Sequence, residues 1–477
     1  MSGKFTVDVA VVGAGPAGLA AAVEAVEAGA SVAVVDAGQQ PGGQFWRHRP
    51  EQDGVEPDGQ GHHDWSVFLE LRRRFSAARA SGRITYLAGR QVWMASRDED
   101  GYVLRTTDTV ASAEGGPGET VRASRLVLCP GGYDRQLPVP GWELPGVMAA
   151  GGVQAFLKAN GALPGRRFVV AGTGPFLLPV AANIAEAGGQ VLAVLESSSL
   201  SGWLPQWRAA LGVPGKALEG AEYAAVFARH RIPYKTRRIV TSIEGERGVE
   251  SVRWARVDGQ GRAIPGSGGQ YDDVDVVGFG WGFTPQMELP LALGVATRVD
   301  ADGSLVAVVD EQQESSVPGL YLAGEVTGVG GAVLAVLEGR AAGAAAAGAV
   351  VLSSQDTARR DRHRRFAQAM HRAHPVPEAW QEWLTPETLV CRCEEVTVEQ
   401  VSEARTGLGA DDSRSLKSFT RAGMGWCQGR VCGFAASCLG AGPGRDASAD
   451  SLASSAKRPL AVPVPLGELA LLDTPGD

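Results

Sequence analysis

Cysteine is scarce in this chain. Six occur in 477 residues, and four of them crowd into Cys391, Cys393, Cys427 and Cys432. That usage excludes a disulfide-stapled scaffold and points to a reducing, cytoplasmic compartment. Positive charge is not in excess either: 45 Lys plus Arg against 53 Asp plus Glu leave a net charge of −8. A phosphate backbone needs cations to replace its counterions, so no nucleic-acid partner is expected. Long apolar runs are missing as well. The most apolar stretch, Ala341 to Leu352, is Ala- and Gly-rich and falls short of the ~20 residues a spanning helix needs. No spanning membrane segment is expected, and the N-terminus passes directly into the strand-like run Val7 to Val12 without the pattern of a secretory signal. Neither a Ser/His/Asp order nor an HExxH helix is available for hydrolysis, and no general base stands out.

Glycine, by contrast, is abundant at 64 residues, and β-branched runs alternate with Ala-rich stretches. This is the pattern of α/β domains with parallel sheets. The length allows about three compact units at roughly 150 residues each.

The first unit opens with the strand Val7 to Val12 and turns at Gly13-Ala-Gly-Pro-Ala-Gly18 into a helix; Asp36 ends the next strand. Strand, glycine turn, helix and acidic strand end form a dinucleotide fingerprint. Gly13 permits the turn, Gly15 admits a pyrophosphate, and Gly18 lets the helix pack on the strand. Pro16 and Ala17 open the helix whose N-terminus faces the anion. Asp36 is placed to accept from ribose hydroxyls. Further on, Gly42 and Gly43 let backbone approach a flat ring, with Gln44 placed to hydrogen-bond it. Gly324-Glu325 ends a later strand ahead of Gly330 and Gly331. A carboxylate there suits a ribityl hydroxyl, and a helix N-terminus there suits the electron-rich edge of a reduced flavin. FAD is therefore the expected ligand. These residues resemble the two-dinucleotide-domain flavoproteins of the thioredoxin-reductase type, which implies a split FAD domain with a second nucleotide unit inserted. Those enzymes use a cysteine pair beside the flavin, whereas Cys129 is single and reads as a packed thiol.

The second unit repeats the scheme less completely. Gly172 and Gly174 hold the first two glycine positions, Leu177 stands where the third should be, and Glu196 ends the following strand. Leu177 is expected to push its helix off the strand. A vestigial site and a working site for NAD or ATP both remain open, with Glu196 set to repel a 2′-phosphate. NADPH-driven flavin reduction is expected to be weak or absent.

The cysteines fall into two local pairs, Cys391-Arg-Cys393 and Cys427-Gln-Gly-Arg-Val-Cys432, with 33 residues between them. Four thiolates can ligate the two irons of a [2Fe-2S] cluster. The same set can hold a structural zinc. Gly423, Gly425, Gly429 and Gly433 free backbone amides for sulfur, and Arg392 and Arg430 temper the local charge. The arrangement is similar to bacterioferritin-associated-ferredoxin-type [2Fe-2S] domains. Cys438 lies outside it. His62 and His63, beside Asp64, sit in a polar loop rather than a metal site. Arg359 to Arg365 reads as a solvated helix face in a linker.

FAD motif, Pro41 to Gln44, Cys129 to Arg135, Pro145 to Met148, Gly324-Glu325 and the two cysteine pairs occur in one order. Together they resemble the α (A) subunits of opine oxidases, hydrogen cyanide synthase and dye-linked proline or hydroxyproline dehydrogenases. The resemblance implies two Rossmann-like domains, the second inserted in the first, plus a small helical C-terminal [2Fe-2S] domain. The expected limits are 1–155 with 285–355 for FAD, 156–284 for the second nucleotide unit, 356–384 for a linker, 385–445 for the cluster and 446–477 for a tail that clamps another domain. It further implies a β subunit of glycine-oxidase-like FAD fold that oxidises a small amine or amino acid. FMN at the subunit interface belongs to the same implication, and Phe45-Trp46 is either an interface pair or a buried anchor. A standalone NADH-dependent reductase and a non-catalytic electron-transfer or assembly partner are the alternatives.

Overall fold

A computed structural model describes residues 4–51, 57–59, 61–109, 118–349 and 352–470. The β-branched run forms the strand Lys4–Val12, whose last four residues are buried. Continuous burial is what a central parallel strand demands. It lies between the parallel strands Val32–Asp36 and Thr120–Leu128. Ile84–Ala88 extends one edge, and the antiparallel strands Tyr102–Asp108 and Arg90–Arg97 extend the other. Much later in the chain, Leu320–Leu322 pairs in parallel with Leu126–Leu128. The first sheet is thus closed by a segment from beyond the second.

The second sheet is parallel throughout, in the order Tyr234–Thr236, Gln190–Glu196, Arg167–Gly172, Val276–Gly280, Val147–Ala149. Val147–Ala149 belongs to it, so the chain crosses over before residue 147 rather than at 155. A small antiparallel sheet, Arg238–Glu244 with Ser251–Arg256 and Gly269–Asp272, extends the same domain.

Helices Pro16–Glu27 and Ala332–Ala346 cross in backbone contact. A Cβ on Gly339 or Gly343 would lie 2.1 Å from the carbonyl oxygen of Ala17 or Ala21. Burial against a neighbouring helix therefore accounts for the Ala/Gly composition, and among the described residues no helix is long and apolar enough to cross a membrane.

The charged stretch departs from expectation. Ser354–Ala373 is one helix, capped by the Ser353 hydroxyl, and only part of its basic face is solvated. Arg360 is 3% exposed and donates to the Glu311 carbonyl at 2.6 Å. Arg364 donates to Glu338 at 3.0 Å and to Gln313 at 2.6 Å. A buried carboxylate on the preceding helix needs a cation, which local charge density could not reveal. The segment is therefore packed structure, not a linker.

The C-terminal unit is a short strand pair, Leu389–Cys391 with Val396–Thr397, followed by helices Val398–Leu408, Ser413–Thr420 and Gly433–Ala441. Thr397 and Gln400 form a reciprocal capping box on the first helix. Asp412 accepts from two amides of the second. After the helix Ala449–Ala456 the tail returns to the first domain, where the Ala461 amide donates to the Trp93 carbonyl at 2.8 Å. The last tail residues, 471–477, lie outside the described residues.

Candidate functional site

The first glycine turn is held by atoms that tolerate no side chain. A Cβ on Gly13 would sit 2.3 Å from the Cys129 carbonyl oxygen, and one on Gly18 would sit 1.7 Å from the carbonyl oxygen of Gly13. Gly18 thus seats the helix and does not itself line the cavity above. Gly42 donates its amide to the Ala14 carbonyl at 2.8 Å, and a Cβ on Gly43 would lie 2.7 Å from the Gly15 Cα. The two turns are packed face to face. Asp36 accepts from the Ala14 amide at 3.2 Å and from the Tyr86 hydroxyl at 3.3 Å, while burial raises its carboxyl above the usual range. Gln44 accepts from Arg47 at 2.7 Å, leaving its NH2 group for another partner.

From the other side comes the turn after Leu320–Leu322. Glu325 accepts from the Gly331 amide at 3.2 Å. Its second oxygen, Oε2, is buried without a partner, and burial pushes the carboxyl up to about 7. Gly13, Gly15, Pro16, Ala17, Asp36, Gly43, Gln44, Gly324, Glu325 and Gly331 all line one cavity of about 1500 Å³. A glycine cradle at a helix N-terminus, with an acid at each end and one orphaned carboxylate oxygen, fits a flavin dinucleotide.

Sequence reasoning did not single out the groups on the opposite wall. Asp134, two residues after Gly132, accepts from the Gly151 amide at 3.1 Å, and burial pushes its carboxyl up to about 6. Burial brings Lys158 down to about 8; its Nζ lies 3.5 Å from the Phe45 carbonyl. An acid two residues after a Gly-Gly pair was the available signal. Phe45 lines the cavity at 38% exposure, whereas Trp46 is fully buried and donates to the His63 carbonyl at 3.2 Å. Of that aromatic pair, Trp46 is the anchor. His62 contacts the Arg47 carbonyl at 2.6 Å, and His63 meets the Tyr223 hydroxyl.

The second glycine turn corrects two expectations. Leu177 does not hold its helix off the strand. Gly280 on the adjacent strand leaves room, since a Cβ there would meet Leu177 Cδ2 at 2.8 Å, and Leu177 is fully buried. Glu196 does not face a ribose. It is completely buried, with one oxygen on the Gly174 amide at 2.9 Å and the other on the Ser198 amide at 2.8 Å. His374 stands 3.6 Å from it and accepts from Trp203 at 3.0 Å. Gly174 lines the large cavity together with His374 and Trp203.

The four cysteines converge on one loop system. Their thiols run as a chain of neighbours, Cys391 to Cys432 to Cys427 to Cys393. The Cys432 thiol beside it, helped by the amides of Gly423, Glu394 and Cys393, pulls Cys391 down to about 6. Cys427 falls to about 5 through Cys432 and the amides of Val431 and Gly429. The thiols of Cys391 and Cys427, together with burial, raise Cys432, and burial raises Cys393; four thiols grouped in this way are the donor set of an iron-sulfur cluster. Four thiols can supply two thiolates to each of two irons. Burial pushes Cys438 up to about 11 and raises Cys129 further, as expected of packed thiols.

The cluster loop also walls the flavin cavity. Arg430 and Val431, between Cys427 and Cys432, line it together with Gly13 and Gly15. Arg430 turns inward to donate to the Tyr133 hydroxyl at 2.6 Å, while Arg392 stacks on Trp142 with its guanidinium carbon 5.0 Å from the ring centre.

A dinucleotide cradle between two nucleotide-type sheets, walled by a four-cysteine loop, defines a flavin- and iron-sulfur-dependent oxidoreductase. Residues 7–349 match the pyridine nucleotide-disulphide oxidoreductase family and residues 389–437 the BFD-like [2Fe-2S] binding domain. The A subunit of opine oxidase from Agrobacterium tumefaciens (strain Ach5) is 34% identical over 98% of this chain and 92% of its own length. The HcnB subunit of hydrogen cyanide synthase from Pseudomonas aeruginosa is 31% identical over 88% of this chain and 90% of its own. The structure of L-proline dehydrogenase from P. horikoshii superposes with a TM-score of 0.66 at 20% identity, over 98% of this chain and 80% of that one. The chain belongs to the pyridine nucleotide-disulphide oxidoreductase family, in the branch of HcnB and the opine oxidase A subunit. Its cofactors are FAD and a [2Fe-2S] cluster.

Proposed function

We propose that this chain is the electron-relay subunit of a heteromeric oxidoreductase that acts on CH–NH or CH–NH2 groups. The amine, of the opine, proline or glycine type, is oxidised on a partner subunit of glycine-oxidase-like fold. FAD supplies acceptance of an electron pair and the cluster supplies one-electron steps. In this reading Gly13, Gly15, Pro16 and Ala17 seat the pyrophosphate, Gly18 and Gly42 shape the two turns, and Asp36 holds the ribose. Gly43 and Gln44 meet the flavin ring, while Gly324, Glu325 and Gly331 hold the ribityl chain and the pyrimidine edge. Cys391, Cys393, Cys427 and Cys432 ligate the irons. Gly172, Gly174 and Glu196 shape the second turn, for which NAD or ATP is the candidate occupant. FMN would belong to the subunit interface, and free thiols suit a reducing compartment such as the cytoplasm.

The observation that carries this reading is the shared wall: Arg430 and Val431 belong to the cysteine loop and to the flavin cavity at once. At the second turn Glu196 accepts from the amides of Gly174 and Ser198. This favours relay over the standalone NADH reductase, and a cofactor that never changes redox state would mark a non-catalytic assembly partner. The test is anaerobic titration of the chain purified with its partner subunit, following flavin and cluster absorbance. An N-substituted amino acid, proline or glycine should bleach both in sequence. If all leave both chromophores oxidised, the amine reading is lost.

A further inference from the structure

Arg430 occupies the middle of the cysteine loop, yet its side chain is only 17% exposed and points into the cavity wall. Its Nε donates to the Tyr133 hydroxyl at 2.6 Å and lies 3.1 Å from Glu288 Oε1. The Tyr133 hydroxyl donates in turn to Glu288 Oε1 at 3.3 Å. Nη2 donates to the Ala461 carbonyl at 2.6 Å, and the guanidinium carbon stands 5.5 Å from the centre of the Tyr133 ring. One cation therefore gathers the cysteine loop, the strand Gly132–Asp134, the helix Glu288–Ala292 and the tail. Tyr133, Glu288, Arg430 and Ala461 all line the flavin cavity.

We propose that Arg430, Tyr133 and Glu288 form an electrostatic bridge between the two redox sites, with Arg430 setting the potential of the cluster. The inference rests on the relay reading for its purpose but not for its measurement. An oxidised two-iron, two-sulfide cluster on four thiolates carries a net charge of about −2, and one added electron makes it more negative still. A cation held inside the ligand loop, largely withdrawn from water, favours the reduced form because screening is weak there. Glu288, 7% exposed, opposes it through Arg430 and holds that cation in place. Two further cations stand near the same loop: Arg458 donates to the Gln428 side chain at 2.9 Å, and Lys417 lines a small pocket with Arg458 and Cys432. Arg430 alone among them reaches the flavin wall. It is a positioning residue that acts through charge and through the fork it makes with Tyr133 and Ala461.

Potentiometric titration of the full chain with dithionite, after assay of iron and sulfide to establish that each variant is loaded, tests the bridge. Arg430→Met should move the cluster midpoint to more negative potential, and Glu288→Gln should move it to more positive potential. Arg430→Lys, which keeps charge but loses the fork, should fall between wild type and Arg430→Met. A merely structural role would lower cluster content without opposite shifts. An unchanged or upward midpoint in Arg430→Met, or shifts of one sign in both variants, overturns the proposal. Should Arg430→Met not retain its cluster, Glu288→Gln decides: an upward shift supports the bridge and any other result rejects it. Relay is judged separately, by whether photoreduced flavin passes electrons to the wild-type cluster.

Discussion

Glu325 shows how one carboxyl can report on the whole cradle. Its Oε2 is buried and unpartnered, and burial lifts the group from 4.5 to about 7. A folded-state value above the unfolded one means that the native protein holds the proton more tightly. Its contribution to stability is therefore fully present below about 4.5 and drains away as the pH rises through about 7. The shift corresponds to roughly 3 kcal/mol for a group of this kind. Flavin-free protein should lose stability to urea between pH 5 and pH 8, and Glu325→Gln should flatten that dependence. Equal slopes in the two proteins would show that Glu325 is not the titrating group. Asp134 is lifted in the same direction, so only the difference between variant and wild type isolates Glu325.

Among the elements, the helix Leu177–Glu186 carries the clearest case of compensated packing. The third glycine of a dinucleotide turn lets helix meet strand; here a leucine takes that position and the glycine has moved to the neighbouring strand as Gly280. Adding a methyl at Gly280 forces it against Leu177 and against Ala150 Cβ at 3.3 Å, and overpacking of this kind costs about 1–3 kcal/mol. Truncating buried Leu177 to Ala costs about 2–5 kcal/mol. Because the two groups share one space, Gly280→Ala combined with Leu177→Ala should destabilise by less than the sum of the single changes. Chemical denaturation of the four proteins checks this, and strict additivity would refute the compensation. The reading of Leu177 as a defect failed because its partner, Gly280, lies on a strand more than a hundred residues away in sequence.

For the whole molecule the question is where electrons enter. The second nucleotide turn lines the large cavity, but its acidic residue is turned inward and His374, just past the helix Ser354–Ala373, stands beside it. NADH and NADPH should therefore leave the flavin oxidised in anaerobic stopped-flow mixing, while dithionite bleaches it. Rapid bleaching by either nucleotide would restore the reductase alternative. Opening the site by His374→Ala is not expected to rescue NADH, because Glu196 keeps both of its backbone amides.

What the amino-acid order determined alone is local: the glycine turn after a β-branched strand, the acid at the end of the next strand, the return through Leu320–Leu322, and the two cysteine pairs. Each is written within a few residues, because a tight turn, a helix N-terminus or a thiolate pair is a short-range requirement. Tertiary structure alone decided the rest. It placed Arg430 against Tyr133, buried Arg360 and paired Arg364 with Glu338 within a charged run, turned Glu196 inward and gave Leu177 its space. These are contacts between segments separated by tens to hundreds of residues, where the energy lies in shared volume and desolvated charge, and no local pattern encodes either.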